Sequence, residues 1–178
     1  MAVVTRAFEF DAAHRVMNER VKCYNLHGHR FRLEVSFGIS PKFYDLGYPI
    51  DFKELKRVFG AYIDEFLDHA CIVNPKDREV IDLCTRNKWK LWVMGHGANV
   101  DRNPSAENLA EEIFTVFREL ARLSPEEFDV RSVKLYETPN CWVQVSETQD
   151  YLDVGVKNAL FMWRDKKGTF EYDSRRCQ

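Results

Sequence analysis

The chain has 178 residues, of which 45% are hydrophobic and 30% are charged, and its formal net charge is −2. These values are typical of one globular domain with a buried core, and they exclude a disordered chain. The near balance of charge argues against general affinity for nucleic acid or anionic membranes, and no apolar run approaches the ~20 residues of a membrane-spanning helix. Charges interrupt the first apolar segment, which argues against a signal peptide. The five cysteines are scattered without a CxxC pair, which indicates a reducing, cytoplasmic setting.

The first part of the chain predicts two strands. Residues 3–13 place Phe8, Phe10 and Ala12 on one face. Residues 29–39 alternate apolar and polar side chains more regularly, as half-buried strands do. Residues 41–49 contain Pro, Asp and Gly and therefore predict a loop.

Two amphipathic helices are predicted next. Asp51 is a candidate N-cap, with Glu54 three residues later as in a capping box. Apolar residues then recur at helical spacing until about Asp68. Ser105 is the candidate N-cap of the second helix, with Asn108 three residues on and an apolar stripe behind it.

Residues 130–137 and 141–147 predict two further strands around a tight turn. The order strand, strand, helix, helix, strand, strand favours an α+β fold, with a four-stranded antiparallel sheet and two helices on one face. We assign residues 1–150 to this single domain and residues 151–178 to a C-terminal extension. The segment 74–103 is less regular, with one short candidate strand at residues 90–94 before a loop rich in Gly and Asn.

Three of the five histidines fall close together in the pattern, at His14, His27 and His29. His27 and His29 open a strand and point to the same side of it, while His14 closes the preceding strand of the predicted antiparallel pair. Three imidazoles around Zn²⁺ leave one position open, as in catalytic zinc sites. Gly28 lets backbone approach such a crowded site. Three unrelated histidines at strand ends are the alternative, and the pattern alone does not decide between them.

Four other residues are candidates for chemistry. Cys23 lies beside Lys22 and shortly before His27, where a metal and a cation favour a reactive thiolate; a buried, inert thiol is the alternative. Asp68 can orient His69 as an acid/base pair, or the pair simply ends a helix. Glu137 at a strand end can accept N–H groups from a flat heterocycle, or is a solvated charge. No role is assigned to His96, Cys71, Cys84, Cys141 or Cys177.

Six short motifs follow one another in the chain. They are FDAAHR at residues 10–15, CxxxHGH at 23–29, IDFxxLK at 50–56, LDH at 67–69, NPSAEN at 103–108 and YET at 136–138. As an ordered set they resemble the 6-pyruvoyl-tetrahydropterin synthase / 6-carboxytetrahydropterin synthase family over about residues 5–147. The resemblance implies the tunnelling fold (T-fold) and a homohexamer of two stacked trimers, with active sites between subunits.

The same resemblance assigns roles to the candidate residues. The implied zinc ligands are His14, His27 and His29. Cys23 matches the thiol that accepts a proton, and His69, oriented by Asp68, matches a second acid/base group supplied across the subunit interface. Glu137 matches the anchor of the pterin ring.

The pterin-contacting stretch of the family matches Ser105, Ala106 and Glu107. The family usually has Thr at the position of Ser105, whose hydroxyl can still cap and donate. It often has a hydroxyl residue where this chain has Ala106, so here only the backbone of Ala106 is offered to a ligand.

The implied substrate is 7,8-dihydroneopterin triphosphate. One branch of the family makes 6-carboxytetrahydropterin and acetaldehyde for 7-deazaguanine and queuosine synthesis, and we expect this activity; the alternative is the 6-pyruvoyl branch, which leads to tetrahydrobiopterin. A folate-related branch has Glu where this chain has Cys23, which speaks against it. Two further alternatives are a metal-independent aldolase of the same fold and a zinc protein without activity. The histidine set weighs against the first, and the intact Cys23, His69 and Glu137 weigh against the second.

Overall fold

The computed structural model describes residues 3–38, 50–96, 100–124, 128–148, 152 and 155–157. Six strands form one sheet in the order β4-β3-β1-β2-β5-β6. They are β1 (Val4–His14), β2 (His27–Gly38), β3 (Ala70–Val73), β4 (Leu91–Val93), β5 (Asp129–Thr138) and β6 (Cys141–Val145). The predicted loop at residues 41–49 lies outside the described residues.

The antiparallel strands β1, β2, β5 and β6 confirm the four strands predicted from alternation. β1 and β2 pair along their whole length, from Val4 opposite Phe37 to His14 opposite His27. The alternate side chains of β2 from Phe31 to Phe37 are fully buried, so the register is fixed by the apolar face. β2 begins at His27, two residues earlier than the alternation predicts.

The predicted fold class is confirmed, but the sheet has six strands and not four, because β3 and β4 add a parallel edge. β3 pairs with β1 through Ala12 and Ala70, and β4 pairs with β3 through Cys71 and Leu91. A parallel connection needs a long crossover, and a helix between β3 and β4 supplies it. The candidate strand at residues 90–94 is therefore confirmed, while β3 is an addition.

Two helices are predicted, and the structure adds a third between β3 and β4; residues 152 and 155–157 are helical as well. We number the three helices α1 (residues 52–67), α2 (Arg78–Asn87) and α3 (Ala106–Leu123). α1 starts as an α-helix at Phe52–Leu55 and continues with π-helical turns at Lys56–Gly60 and Ile63–Leu67.

The predicted N-caps are both observed. Asp51 accepts the N–H of Lys53 at 2.8 Å, but Glu54 pairs with Arg57 and does not complete a capping box. Ser105 accepts the N–H of Asn108 at 3.4 Å.

The main core lies between the apolar face of the sheet and helices α1 and α3. α2 covers β3 and β4 with a smaller cluster around Val73, Val80 and Cys84. Val156 also packs into the main core, although it lies beyond residue 150. In the described part of the chain, no helix has the length and apolar character required to cross a membrane.

Candidate metal centre and active site

The three histidines meet on the buried face of the sheet, at one end of the β1–β2 pair. His14 stands opposite His27, and Ala12 opposite His29. The ring centroids are 4.6 Å apart for His14 and His27, 5.2 Å for His14 and His29, and 4.9 Å for His27 and His29. One nitrogen of each ring lies within 4.8 Å of those of the other two. The predicted convergence is therefore confirmed, and the group can hold a metal ion.

Backbone carbonyls orient two of the three rings. Nδ1 of His14 lies 2.7 Å from the Pro104 carbonyl, and Nδ1 of His27 lies 2.7 Å from the Asn25 carbonyl. Since a carbonyl only accepts, each Nδ1 carries a proton, so the lone pair of the neutral ring lies on Nε2. Such outer bonds fix the tautomer of metal-binding histidines.

The surroundings of His14 favour its neutral form. Its side chain is 1% exposed, and Nε2 has no hydrogen-bond partner among the described residues. Burial lowers the pKa of His14 below its ordinary value, against the smaller opposing effect of the Pro104 carbonyl. A buried nitrogen with a lone pair and no partner is what a metal ligand needs, so these residues fit a divalent ion bound by imidazoles.

Strand packing favours glycine at position 28. A Cβ at Gly28 would meet the Ala12 carbonyl oxygen at 3.1 Å, and this Cβ would point away from the face that carries the histidine rings. The close approach that favours glycine is therefore between β1 and β2, not between backbone and the metal position.

Glu137 lies beside the histidines, near the end of β5. Its Oε1 is 3.6 Å from Nε2 of His14, and its side chain is 30% exposed. It lines an open cleft of about 520 Å³ together with Tyr136, Thr138 and His29. The carboxylate is thus accessible to a ligand that also reaches the histidine group.

Asp68 and His69 form the predicted pair at the end of α1. Asp68 Oδ2 is 2.8 Å from Nδ1 of His69, and Oδ1 accepts the backbone N–H of Asp11 at 3.0 Å. His69 has a positive φ of 60°, and its N–H donates to the Asp11 carbonyl. Burial alone would raise the pKa of Asp68, but the hydrogen bonds from Asp11 and His69 hold it below its ordinary value. The carboxylate therefore stays ionised and orients the imidazole.

The side chain of His69 is 75% exposed and reaches into a second open cleft, of about 510 Å³. This cleft shares Gly28, His29 and Arg30 with the cleft beside Glu137. The clefts of Glu137 and His69 therefore flank the same stretch of β2.

Cys23 lies on an exposed single turn of 3₁₀-helix, Lys22–Tyr24, between β1 and β2. Its carbonyl accepts the N–H of Val16 at 2.8 Å, which closes the connecting loop on itself. Cys71, in the His69 cleft, differs in kind: burial raises its pKa to about 12, so it remains a thiol. Among the described residues the exposed thiols are Cys23 and Cys141, and Cys23 lies between the two strands that carry the histidines.

Ser105, Ala106 and Glu107 lie where α3 begins, immediately after the Pro104 carbonyl that holds His14. The structure thus brings this stretch next to the histidine group. The two carbonyls of Asn25 and Pro104 are site groups that sequence reasoning missed. No side-chain pattern signals them, because every residue carries a carbonyl and only the fold aims it.

Comparison with known proteins identifies the class. Residues 3–148 match the family model described as 6-pyruvoyl tetrahydropterin synthase. A 6-carboxy-5,6,7,8-tetrahydropterin synthase of Rickettsia conorii is 40% identical over 149 residues, covering 82% of this chain and 100% of that protein. A protein of the same name from Haemophilus influenzae is 29% identical over 154 residues, covering 83% and 100%.

Solved structures agree in fold. An uncharacterized protein of Wolinella succinogenes has a TM-score of 0.63 at 22% identity, covering 82% of this chain and 98% of its own. The 6-pyruvoyl tetrahydropterin synthase of Caenorhabditis elegans has a TM-score of 0.53 at 23% identity, covering 83% and 98%. The architecture is the tunnelling fold of an α+β enzyme. The chain belongs to the 6-pyruvoyl tetrahydropterin synthase family, whose members are tetrahydropterin synthases.

Proposed function

We propose that the protein is a zinc-dependent lyase that converts 7,8-dihydroneopterin triphosphate to 6-carboxytetrahydropterin, acetaldehyde and triphosphate. This product would serve 7-deazaguanine and queuosine synthesis in the cytoplasm. Support for the carboxy branch comes from relatives of that name at 36–40% identity, each covered over its whole length.

One observation carries the proposal: three imidazoles converge beside an accessible carboxylate. The lone pairs of His14 and His27 are left free by their carbonyl partners, and Glu137 stands 3.6 Å from His14. A zinc ion bound by the histidines would act as a Lewis acid and polarise the side-chain hydroxyls of the substrate. Glu137 would accept the ring N–H groups of the pterin. This contact would direct the side chain of the substrate toward the histidines.

Proton transfer is assigned to the two remaining candidates. Cys23, as thiolate, takes a proton from a carbon of the substrate side chain. His69, oriented by Asp68, gives or takes a proton at the neighbouring carbon. Triphosphate leaves with the electron pair of its C–O bond. One water is consumed, and the bond between the first and second side-chain carbons breaks, so that the first carbon becomes the carboxyl group and the other two leave as acetaldehyde. Ser105, Ala106 and Glu107 contribute backbone and hydroxyl groups beside the pterin.

The proposed assembly is a homohexamer of two trimers with sites between subunits. The exposed His69 imidazole supports this, because it is oriented by Asp68 yet stands open in a cleft of its own chain. In the assembly, His69, oriented by Asp68, would lie beside the histidine group of a neighbouring subunit and transfer protons there.

The deciding experiment incubates the zinc-loaded protein anaerobically with 7,8-dihydroneopterin triphosphate and identifies the products by mass spectrometry. We expect 6-carboxytetrahydropterin and acetaldehyde. Cys23→Ala should retain zinc and assembly but lose turnover by a factor of about 10² or more, since it removes the proton acceptor. Cys141→Ala, which changes another exposed thiol, is the matched control and should behave as the unmodified protein.

A 6-pyruvoyl product would transfer the protein to the biopterin branch, with the same residues in the same roles. Absence of any turnover, with zinc bound, would refute the catalytic assignment and leave a structural metal. Full turnover by Cys23→Ala would refute the role of the thiol.

A further inference from the structure

The side chains of the loop that carries Cys23 bury little surface. Residues 18–26 are all exposed, and Val21, Tyr24 and Leu26 present large apolar side chains to solvent. A loop without buried apolar contacts must be fixed by hydrogen bonds, or it samples many conformations. The position of Cys23 relative to His14 therefore depends on the contacts at the base of the loop, which we define as residues 15–17.

Asn103 holds one side of that base. Its Oδ1 accepts the backbone N–H of Met17 at 3.1 Å, and its Nδ2 donates to the Met17 carbonyl at 3.0 Å. The side-chain amide thus pairs with both backbone groups of one residue, as a strand neighbour would. Met17 is next to Val16, whose N–H donates to the Cys23 carbonyl.

A buried amide fixes Asn103 in turn. Asn74 is 2% exposed, and its Nδ2 donates to Oδ1 of Asn103 at 2.9 Å and to Oδ1 of Asp101 at 2.8 Å. The Asn103 carbonyl accepts Nδ2 of Asn108 at 2.9 Å. Because Oδ1 of Asn103 also accepts from Asn74, the orientation of the Asn103 amide does not depend on the loop alone.

Asp77 holds the other side of the base. It is 1% exposed and binds Arg15 through two hydrogen bonds, of 2.5 and 2.6 Å. The Arg15 guanidinium lies 5.6 Å from the centre of the Tyr24 ring, next to Cys23. Bidentate pairs of this kind fix orientation as well as distance.

The anchors Asn74, Asp77 and Asn103 all belong to the segment 74–103, which has no role in the proposed chemistry. We propose that this segment is a brace for the Cys23 loop, and that Asn103 is a positioning residue that sets the thiol against the histidine group. Its neighbour Pro104 holds His14, so one dipeptide fixes both the metal ligand and the loop. The importance of the brace for turnover rests on the proposed function, whereas its effect on the loop does not.

The test compares Asn103→Ala with Asn87→Ala in the zinc-loaded protein. Asn87 lies in α2 of the same segment and bonds only locally, to the Leu83 carbonyl, so it is a matched control. Two readouts are independent of activity: hydrogen exchange of the Met17 amide, and the iodoacetamide alkylation rate of Cys23, with Cys141 as internal reference. The third is kcat with the pterin triphosphate.

In Asn103→Ala we expect faster exchange at Met17, a changed Cys23 alkylation rate with Cys141 unchanged, and a kcat about 10- to 100-fold lower at unchanged zinc content. Asn87→Ala should match the unmodified protein in all three. Asn103→Asp, which keeps the acceptor for Met17 N–H, should recover part of the protection and of kcat.

Identical exchange and alkylation in Asn103→Ala and the unmodified protein would overturn the brace. If Asn103→Ala does not fold, the same comparison is made with Asn103→Asp, where alkylation and kcat both equal to the unmodified protein would overturn it. If the unmodified protein shows no turnover, the proposed function fails, while exchange and alkylation still decide on the brace.

Discussion

His14 illustrates how one residue is prepared by its surroundings for metal binding. Its ring is buried, its Nδ1 is bound to the Pro104 carbonyl, and its Nε2 has no hydrogen-bond partner among the described residues. Sequence predicted the residue and its convergence with the other two histidines, because strand period and chain order place them. The tautomer was not predictable, since it depends on a carbonyl 90 positions along the chain.

The lowered pKa of His14 predicts a pH dependence in the metal-free protein. The unfolded imidazole titrates near 6.5, and burial lowers the pKa in the fold. Between these values the unfolded state binds more protons, so stability falls as pH drops through about 6.5 and stops falling below the folded pKa. Urea unfolding of the chelator-treated protein at pH 7.5 and pH 5.5 measures this.

His14→Gln is the control, because it keeps a donor for Pro104 but does not titrate. We expect the free energy of unfolding to drop more between the two pH values in the unmodified protein than in His14→Gln. Equal drops in the two proteins would show that His14 makes no contribution.

At the scale of elements, long periodic segments were predictable and short ones were not. The β2 alternation and the apolar stripe of α3 each extend over many residues, and both elements are observed. β3 has only four residues and lies between two loops, so it shows no period. α2 buries only Val80 and Cys84, a stripe too narrow to stand out from its charged residues.

The N-terminus of α3 gives a prediction for an element. Ser105→Ala removes the acceptor for the Asn108 N–H and should lower the free energy of unfolding by about 0.5–1 kcal/mol, the low end for a cap because the bond is 3.4 Å long. Ser105→Thr keeps the hydroxyl and should lower the free energy of unfolding by only about 0.3 kcal/mol. Denaturant unfolding distinguishes them, and an equal loss in both variants would assign the effect to packing instead of capping.

At the scale of the whole molecule, the sheet joins two halves of different character. β1 has an antiparallel neighbour, β2, on one side and a parallel neighbour, β3, on the other. The antiparallel half carries the histidines and Glu137, whereas the parallel half begins directly after His69. This division explains why local patterning found the histidine group but not the proposed brace: the bonds of Asn74, Asp77 and Asn103 join residues far apart in the chain.

The last prediction concerns the boundary at residue 150, which remains a prediction. Val156 is 0% exposed in the main core, and Leu152 is equally buried. Val156→Ala should lower the free energy of unfolding by about 2 kcal/mol, because it removes two buried methyl groups and leaves a cavity. Lys157→Ala, at a half-exposed neighbour, should change it by no more than about 0.5 kcal/mol. If Val156→Ala is as stable as Lys157→Ala in denaturant unfolding, Val156 makes no measurable contribution to the core, in agreement with a domain boundary at residue 150.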